Sequence, residues 1–397
     1  MNKKLIAIAL ASLPVAAMAD VTIYGTMNAG VEHDTVTGGA SNNGVHDYTS
    51  VIGFKGTEEL GNGLKTIWQV ENRIVLGGNT STTGTNSSNF GSRQTFVGLD
   101  GGNLGTIRLG QINSSLKDLY AVDQWQYDAE MNNYRGAVNN TGANGLAVFT
   151  NQANRLKNAV RYDSATFYGF SGNVAYGFGE NKNQNNGVSK ASDIGTLGLN
   201  YAFENFSFHY AYQKEFNPIG GVSGATDAGS QNATTSAQSS DNPHTAHINY
   251  FEAAYNGNNL YVGVAYQEAT GYDWTDGFSG DSASFTNSNG IGHTYAGSTP
   301  AALNLKTRQA ALSAAYSIGA FTPKATYAKG WDQKIGDNTL SDTGYDQYIL
   351  GVDYNLSKRT TAELAYGHLK FKKNATAAVN GQDTTLNSFA VSLQHNF

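Results

Sequence analysis

The sequence predicts an all-β fold, a 16-stranded antiparallel transmembrane β-barrel with long outer loops, and three observations support this prediction. The first is a short apolar stretch near the N-terminus, directly after two lysines. The second is a series of segments in which apolar and polar residues alternate. The third is a regular succession of short turn sequences and long polar stretches between those segments. Together they favour an exported barrel over the alternative, a soluble β-sandwich with a core of aromatic residues.

The N-terminus indicates export. Two lysines precede the apolar run 5–15, and the small residues Ala17 and Ala19 mark a cleavage site. This arrangement is typical of a secretory signal peptide. The run is shorter than the roughly 20 apolar residues that a membrane-spanning helix needs. We therefore expect a signal peptide at 1–19, followed by one barrel domain at 20–397.

Composition excludes several classes of function. The chain has 25 basic and 31 acidic side chains, and removal of the two signal-peptide lysines would lower its formal charge of −6 by a further two. This acidity disfavours nucleic acid as a partner. The sequence contains no cysteine, so neither disulfides nor thiolate-bound metals can stabilise it. We expect no cofactor and no metal site.

The first and last predicted strands show the alternation most clearly. A period of two places successive side chains on opposite faces of a sheet. In 21–31 and 388–397, one face is apolar, and the last strand ends on an aromatic residue; the apolar positions are Val21, Ile23, Met27, Val31, Phe389, Val391, Leu393 and Phe397. Each such strand would present one face to lipid and the other to water.

Turn signals set the strand count. Seven short turns are predicted, at 59–63, 100–105, 164–169, 203–205, 256–259, 317–320 and 355–358. Eight long polar stretches alternate with them, at 33–48, 77–91, 113–154, 180–192, 215–245, 269–303, 332–345 and 372–385. Seven hairpins and two terminal strands give 16 strands. An even number of antiparallel strands with short turns at one end and long loops at the other is typical of outer-membrane barrels.

Several motifs resemble a known family, the general-diffusion porins of Neisseria and other β-proteobacteria. The motifs lie at 20–26, 52–65, 93–99, 160–164, 356–360 and 395–397. The similarity extends from Asp20 to Phe397 at strands and tight turns, and it fades in the outer loops. The resemblance implies a 16-stranded barrel, a homotrimer in the outer membrane of a Gram-negative bacterium, and a third loop folded into the lumen.

The function implied by the resemblance is a passive diffusion channel for small hydrophilic solutes and ions, limited by size and weakly selective for charge. Its expected partners are outer-membrane lipid and lipopolysaccharide, further copies of the chain, and the barrel-assembly machinery, which would read Phe397 as an assembly signal. The alternatives are a substrate-specific nutrient channel, an outer-membrane hydrolase, and a surface barrel whose loops bind host molecules.

The longest loop, 113–154, is the constriction loop by resemblance; the alternative is an ordinary solvated outer loop. A barrel of about 16 strands leaves a water channel unless something enters it. The segment 114–126 is expected to form a short helix. Four acids are candidates to line the narrow point: Asp118, Asp123, Asp128 and Glu130.

Basic residues are assigned to the lumen by the same alternation. In 64–75 the apolar residues Trp68 and Val70 point to lipid, which directs the charged residues of opposite parity inward. In 155–162 we expect Leu156 to face lipid. A charge on the lipid face at the bilayer midplane would cost roughly 2–4 kcal/mol. The predicted basic wall comprises Lys55, Lys65, Arg73, Arg108, Arg155, Lys157 and Arg161; Arg93 has the opposite parity and is placed at a strand end or bulge.

A basic wall opposite an acidic loop would create a transverse field in the pore. Signals for an enzyme are weak by comparison. His244 and His247 are expected to be loop histidines and not metal ligands. His209 and Ser207 point to a hydrolase only if a third, orienting group is present. We therefore expect no catalytic residues.

Overall fold

The structure is a computed structural model that describes residues 20–39, 41–74, 76, 90–126, 143, 145–146, 148–150, 155–179, 193–216, 227–228, 245–271, 284–286, 292–294, 305–375 and 381–397. The predicted signal peptide, 1–19, lies outside these residues. Among the described residues, no helix is both long enough and apolar enough to cross a membrane.

A closed barrel of 16 antiparallel strands confirms the predicted fold. The strands are β1 (Asp20–Val36), β2 (Ser50–Gly61), β3 (Leu64–Ile74), β4 (Thr95–Asp100), β5 (Thr106–Asn113), β6 (Arg155–Asp163), β7 (Phe170–Gly177), β8 (Asp193–Phe203), β9 (Phe206–Phe216), β10 (Thr245–Gly257), β11 (Leu260–Thr270), β12 (Leu305–Tyr316), β13 (Phe321–Gly330), β14 (Tyr345–Asn355), β15 (Thr360–Phe371) and β16 (Thr384–Asn396).

Strand β1 closes the barrel because it pairs with both the second strand and the last strand. Its first residues, Asp20 to Thr26, pair with β2, and residues Thr26 to Val36 pair with β16. All the other barrel strands pair with their neighbours in sequence. Closure leaves no free sheet edge, which a strand-built membrane protein requires.

The seven predicted short turns all join consecutive strands at one end of the barrel. Left-handed backbone at Asn62, Glu204 and Asn258 makes the tightest of them. Asparagine and glycine tolerate this conformation better than other residues, which explains Asn62 and Asn258 but not Glu204. A short 3-10 helix at Gly102–Leu104 occupies the β4–β5 turn.

The alternation along the strands separates an apolar outer face from a polar inner face. Exposed apolar side chains on the outer face include Val21, Ile23, Val97, Leu109, Val174, Leu199, Phe251, Leu312, Leu350 and Val391. Buried polar side chains on the inner face include Asn28, Glu32, Thr196, Gln213, Glu252, Gln309, Gln347 and Ser392. This is the inverse of a soluble sandwich, whose apolar residues face its interior.

The described part of the chain also contains six short strands, four of which pair within the barrel sheet. Asn42–Asp47, hereafter the inner strand, pairs with β1 at the long-loop end. Lys334–Ile335 pairs with both β12 and Asn338–Thr339. Ser284–Thr286 and Gly292–Thr294 form a separate hairpin, and Asp227–Ala228 pairs with the start of β6 in parallel.

Two local predictions were wrong. Leu156 does not face lipid: it is fully buried against Ala159, Ala175 and Ile194 on the inner side. The pairing of β5 with β6 shifts register between Gly110 and Ile112, so β6 carries one extra residue there, and a bulge of this kind reverses the parity of the residues before it. In addition, 114–126 forms successive turns and not a helix.

Candidate functional site

The loop after β5 folds into the barrel and contacts the wall opposite its own origin. The backbone N–H of Ala121 donates to Glu252 Oε2 at 3.0 Å on β10, and the Tyr261 hydroxyl on β11 donates to the Ala121 carbonyl at 2.6 Å. Further along, the indole N–H of Trp125 donates to Thr326 Oγ1 at 2.9 Å on β13. The loop therefore lies across the lumen.

The same segment then reaches β13, β15 and β1. Lys324 Nζ donates to the Gln124 carbonyl at 2.6 Å, and Asn28 Nδ2 donates to the Gln126 carbonyl at 2.7 Å. Lys324 also forms ion pairs with Glu363 and, at 2.9 Å, with Asp353, while its ammonium lies 4.6 Å from the Trp125 ring centroid. A buried lysine bound by two carboxylates and a carbonyl fixes this part of the loop on the inner wall.

The described residues near the end of the loop remain inside the barrel. Gln347 Nε2 on β14 donates to the carbonyls of Ala143 at 2.9 Å and Gly145 at 2.8 Å. The Phe149 ring, fully buried, packs edge-on against Tyr250 of β10 with centroids 6.0 Å apart. The predicted inward course of the third loop is therefore present in the structure.

A cavity of about 730 Å³ lies between this loop and the barrel wall, and its described lining comes from β1, β2, β5, β6 and β13 to β16 and from the segment before β4. Its lining is mainly polar. Six charged side chains contribute to it: Arg93, Lys117, Arg155 and Lys324 are basic, and Asp123 and Asp353 are acidic. The cavity thus brings together two of the predicted site residues, Arg155 and Asp123, with four charged residues from outside the predicted set.

Arg155 and Arg93 enter the cavity from different elements. Arg155 begins β6, and its Nε donates to Asn113 Oδ1 at 3.3 Å. Arg93 lies in the bend before β4, which agrees with its predicted place beside a strand end. Its Nε is 2.6 Å from Glu71 Oε1, and Glu71 also accepts a hydrogen bond from the Tyr24 hydroxyl at 3.0 Å.

Arg161 and Asp118 have a different arrangement from the one predicted. Arg161 Nη1 is 2.6 Å from Asp118 Oδ2, and Arg161 Nη2 is 2.7 Å from Asp163 Oδ1. Only 4% of the Arg161 side chain is exposed. Asp118 therefore contacts the basic wall directly and does not oppose it across the pore, because the loop leaves β5 beside β6 before it crosses the lumen.

Lys55, Lys65, Arg73 and Arg108 point inward but are spread along the barrel. Lys55 lies over the Tyr24 ring at 5.2 Å, and Lys65 pairs with Glu59 at 2.7 Å beside the β2–β3 turn. Arg73 is 3.5 Å from Asp47 near the long-loop end. Arg108 is 2.6 Å from Asp163. Lys157, within the β6 bulge region, does not line the cavity.

Two predicted acids, Asp128 and Glu130, lie outside the described residues. Sequence reasoning missed Lys324, Glu252 and Glu363, although the signal that placed the basic wall also applies to them. Each is a charged residue at an inward position of an alternating strand, as the pairings of Lys324 with Gly351 and of Glu363 with Ser392 show.

Among the described residues, those considered for enzymatic roles do not form a catalytic dyad or triad. His209 does point inward, and its Nδ1 is 2.7 Å from Asn200 Oδ1. A hydrolase would need that nitrogen oriented by a carboxylate or an amide and the other nitrogen next to a nucleophile, and among the described residues no hydrogen bond joins His209 to Ser207. His247 lies on β10 with its ring 6.5 Å from that of Tyr212, and His244 is outside the described residues.

A family model described as Gram-negative porin matches residues 5–250 and 216–374. The chain belongs to this family. The major outer membrane protein P.IB of Neisseria gonorrhoeae is 35% identical over 410 residues, with all of both chains covered. The protein of the same name from Neisseria sicca is 34% identical over 414 residues, again across both full chains.

Solved structures agree in fold. An anion-selective porin from Comamonas acidovorans superposes with a TM-score of 0.66 at 22% identity and covers 96% of this chain and 100% of its own. Salmonella typhi OmpF, in complex with daunomycin, has a TM-score of 0.60 at 18% identity, with 96% and 98% covered. A trimer form of OmpT from Vibrio cholerae has a TM-score of 0.57 at 17% identity, with 96% and 99% covered. The family and the barrel together establish a passive diffusion channel of the outer membrane.

Proposed function

We propose that this porin is a size-limited, weakly charge-selective channel whose narrowest part is the charged cavity beside the inward loop. The observation that supports this proposal is the course of 121–126 across the lumen, where it bonds to β10, β11, β13 and β1. A solute that passes through the barrel must use the space that this segment leaves. That space is lined on one side by Arg93 and Arg155.

The charges around the cavity favour weak selectivity. Arg93 forms an ion pair with Glu71, and Lys324 forms ion pairs with Glu363 and Asp353, so these charges are partly neutralised. Lys117, Arg155 and Asp123 add charges of both signs to the same cavity. We propose that the basic side chains near β4 and β6 and the acid on the loop create a transverse field that gives anions and cations separate paths.

Reversal potential under a salt gradient tests this arrangement. Replacing Arg155 and Lys117 with glutamine should shift the reversal potential of the reconstituted channel toward cation selectivity, and Asp123→Asn should shift it the other way. Unit charges a few ångströms from a permeating ion contribute about 1–4 kcal/mol between the bulk-water and protein-surface limits.

The control is an exposed ion pair in the outer loops. Lys373 and Asp342 lie 3.1 Å apart and are roughly half exposed. Charges farther than a Debye length of about 8 Å from the pore are largely screened at physiological salt. Lys373→Gln and Asp342→Asn should therefore leave the reversal potential almost unchanged. Equal shifts from the cavity and control variants would place the constriction elsewhere.

We also propose a homotrimer. The Vibrio cholerae neighbour is described as a trimer, and a barrel with an apolar outer face can associate through that face. In a planar bilayer, insertion events should then produce conductance steps in groups of three without added ligand. Single steps from protein that crosslinks only as a monomer would contradict this assembly.

We further propose that 1–19 is removed during export, that the outer face contacts lipid and lipopolysaccharide, and that the protein has no enzymatic activity. The contacts of His209 support the last point, since its described hydrogen bond is to Asn200 and not to a nucleophile. A substrate-specific nutrient channel and a loop-based receptor for host molecules remain the competing functions, and saturable solute flux or ligand capture by the outer loops would favour them.

A further inference from the structure

Three possible metal ligands converge on the inner face of the barrel at the long-loop end. Glu32 and Asp34 lie on β1, and His46 lies on the inner strand. One carboxylate oxygen from each acid and one ring nitrogen of His46 lie within 4.8 Å of one another. The register of the two strands brings these residues together, since Glu32 pairs with Gly44 and Gly30 pairs with His46.

The cluster is largely buried and contains an unsatisfied atom. Glu32 is 3% exposed and His46 is 9% exposed. Within the part of the chain that the structure describes, His46 Nε2 is buried and has no hydrogen-bond partner. A buried polar atom without a partner is unfavourable, so its presence in a native fold points to a ligand that completes it.

Neighbouring hydroxyl groups hold the two carboxylates in place. The Tyr48 hydroxyl donates to Glu32 Oε2 at 2.5 Å, and the Ser388 hydroxyl donates to Asp34 Oδ1. The imidazole of His46 stacks near the Tyr48 ring, with centroids 6.4 Å apart and an angle of 18° between planes. Metal-binding carboxylates and imidazoles are characteristically oriented by such surrounding contacts.

We propose that Glu32, Asp34 and His46 bind a divalent first-row transition-metal ion of the Zn²⁺ type. The imidazole decides the class of ion, because Mg²⁺ and Ca²⁺ prefer oxygen ligands alone. Ligand atoms around a tetrahedral Zn²⁺ lie about 3.3 Å apart. The three ligand atoms, which lie within 4.8 Å of one another, would have to draw closer around the bound ion, and a water molecule would supply the fourth ligand.

The site is connected to the inward loop through one hydroxyl group. Ser388 Oγ, which donates to Asp34, also accepts a hydrogen bond from the backbone N–H of Ala143 at 2.6 Å. A bound ion would therefore join the inner strand, β1 and β16 at the point where the loop is attached. Because only the folded barrel assembles these ligands, metal binding stabilises the folded state by mass action.

Spectroscopic titration with Co²⁺ tests the proposal on the full barrel in detergent after treatment with EDTA. Tetrahedral Co²⁺ gives a visible absorption band, which should saturate at one equivalent per chain and disappear when Zn²⁺ is added. A hundredfold excess of Mg²⁺ or Ca²⁺ should not remove it. Zn²⁺ should raise the temperature at which the barrel unfolds, as monitored by its mobility shift on gels.

His46→Gln and His33→Gln form a matched pair of variants. His33 lies in the same strand pair, is exposed and contacts Asn43 at 2.7 Å, so its loss should leave the cobalt band intact. His46→Gln should weaken Co²⁺ binding by at least tenfold. Tyr48→Phe, which removes the hydroxyl that donates to Glu32, should weaken it by about 10–100-fold.

The heat-modifiable gel band reports whether each variant is folded, separately from the cobalt titration. Retention of the wild-type cobalt affinity in folded His46→Gln would overturn the proposal. So would the absence of a saturable band in the folded wild-type barrel, or displacement of Co²⁺ by Mg²⁺ and Ca²⁺ as readily as by Zn²⁺.

Discussion

Glycine at two wall positions allows the inward loop to lie directly against the sheet. A β-carbon at Gly263 of β11 would overlap the carbonyl oxygen of Ala121. A β-carbon at Gly351 of β14 would lie 2.8 Å from Trp125 Cζ3. Both positions face the lumen. At Gly263 the nearest obstacle to a β-carbon is the loop itself, whereas at Gly351 a β-carbon would also lie 2.5 Å from the Leu364 carbonyl oxygen of the neighbouring strand, so both the loop and the strand pairing restrict that position.

Gly263→Ala should displace the loop at Ala121. The backbone carbonyl cannot move without the segment that carries it, and the hydrogen bond from Tyr261 would lengthen, at a cost of about 1 kcal/mol. Single-channel recordings should show a changed unit conductance and more open-channel current noise. Gly195→Ala is the control, since its β-carbon would meet Phe216 and Tyr176 at ordinary distances of 3.9 and 4.0 Å. Identical conductance in both variants would mean that the contact at Gly263 does not position the loop.

At the scale of single strands, the sequence predicts most of the fold because alternation, turn residues and strand length act locally. The seven short turns and the inward direction of Lys55 and Arg108 follow from parity and turn chemistry alone. The same reasoning wrongly predicted that Leu156 faces lipid. A register shift between β5 and β6 depends on how two strands pair, and no local pattern in either strand reveals it.

The sequence also did not predict which charged side chains would form ion pairs with each other. Parity predicts that Arg161 is in the lumen and the family resemblance places Asp118 there, but their ion pair depends on the direction in which the loop leaves β5. In the same way, the loop residue Gln124 and the strand residue Lys324 are separated by 200 positions and meet only because the loop crosses the pore. Such contacts between distant parts of the chain decide which charges face the solute.

Strand β13 fixes the inward loop through Lys324, and Lys324→Met should release it. Removing one partner of a buried ion pair typically costs about 3–5 kcal/mol, because the remaining charge, here Glu363, is left uncompensated. We expect a lower urea midpoint of unfolding in detergent and noisier open-channel currents. Adding Glu363→Leu to this variant should recover part of the stability, since it removes the unpaired carboxylate.

Lys329→Met on the same strand provides the comparison. Lys329 pairs with Asp346 at 3.2 Å, and both side chains are about one-third exposed, so the loss should be about 0–1 kcal/mol. If Lys324→Met and Lys329→Met lowered stability equally, the buried cluster around Lys324 would not be the main anchor of the loop.

Across the whole molecule, closure depends on the junction between the first and last strands. Phe397 lies at the short-turn end of this junction: its N–H donates to the Gly25 carbonyl at 3.0 Å, and the Gly25 N–H donates to its carbonyl at 3.1 Å. Its ring covers Gly25 so closely that a β-carbon there would lie 2.5 Å from Phe397 Cζ. The terminal aromatic residue therefore packs on the closing strand pair.

Phe397→Ser should reduce the amount of assembled barrel in the outer membrane without reducing export. The substitution removes the ring from the β1–β16 junction, and it removes the aromatic group that we expect the barrel-assembly machinery to recognise. The measurement is the heat-modifiable fraction in purified outer membranes, compared with the total exported protein. Phe389→Ser is the matched control, because Phe389 lies on the same strand and the same outer face and is about half exposed. If Phe397 is a terminal signal, Phe397→Ser should lower the assembled fraction much more than Phe389→Ser does, and Phe397→Tyr should restore it. An equal loss of assembly in both variants would reflect only a general loss of apolar surface and would contradict a special role for Phe397.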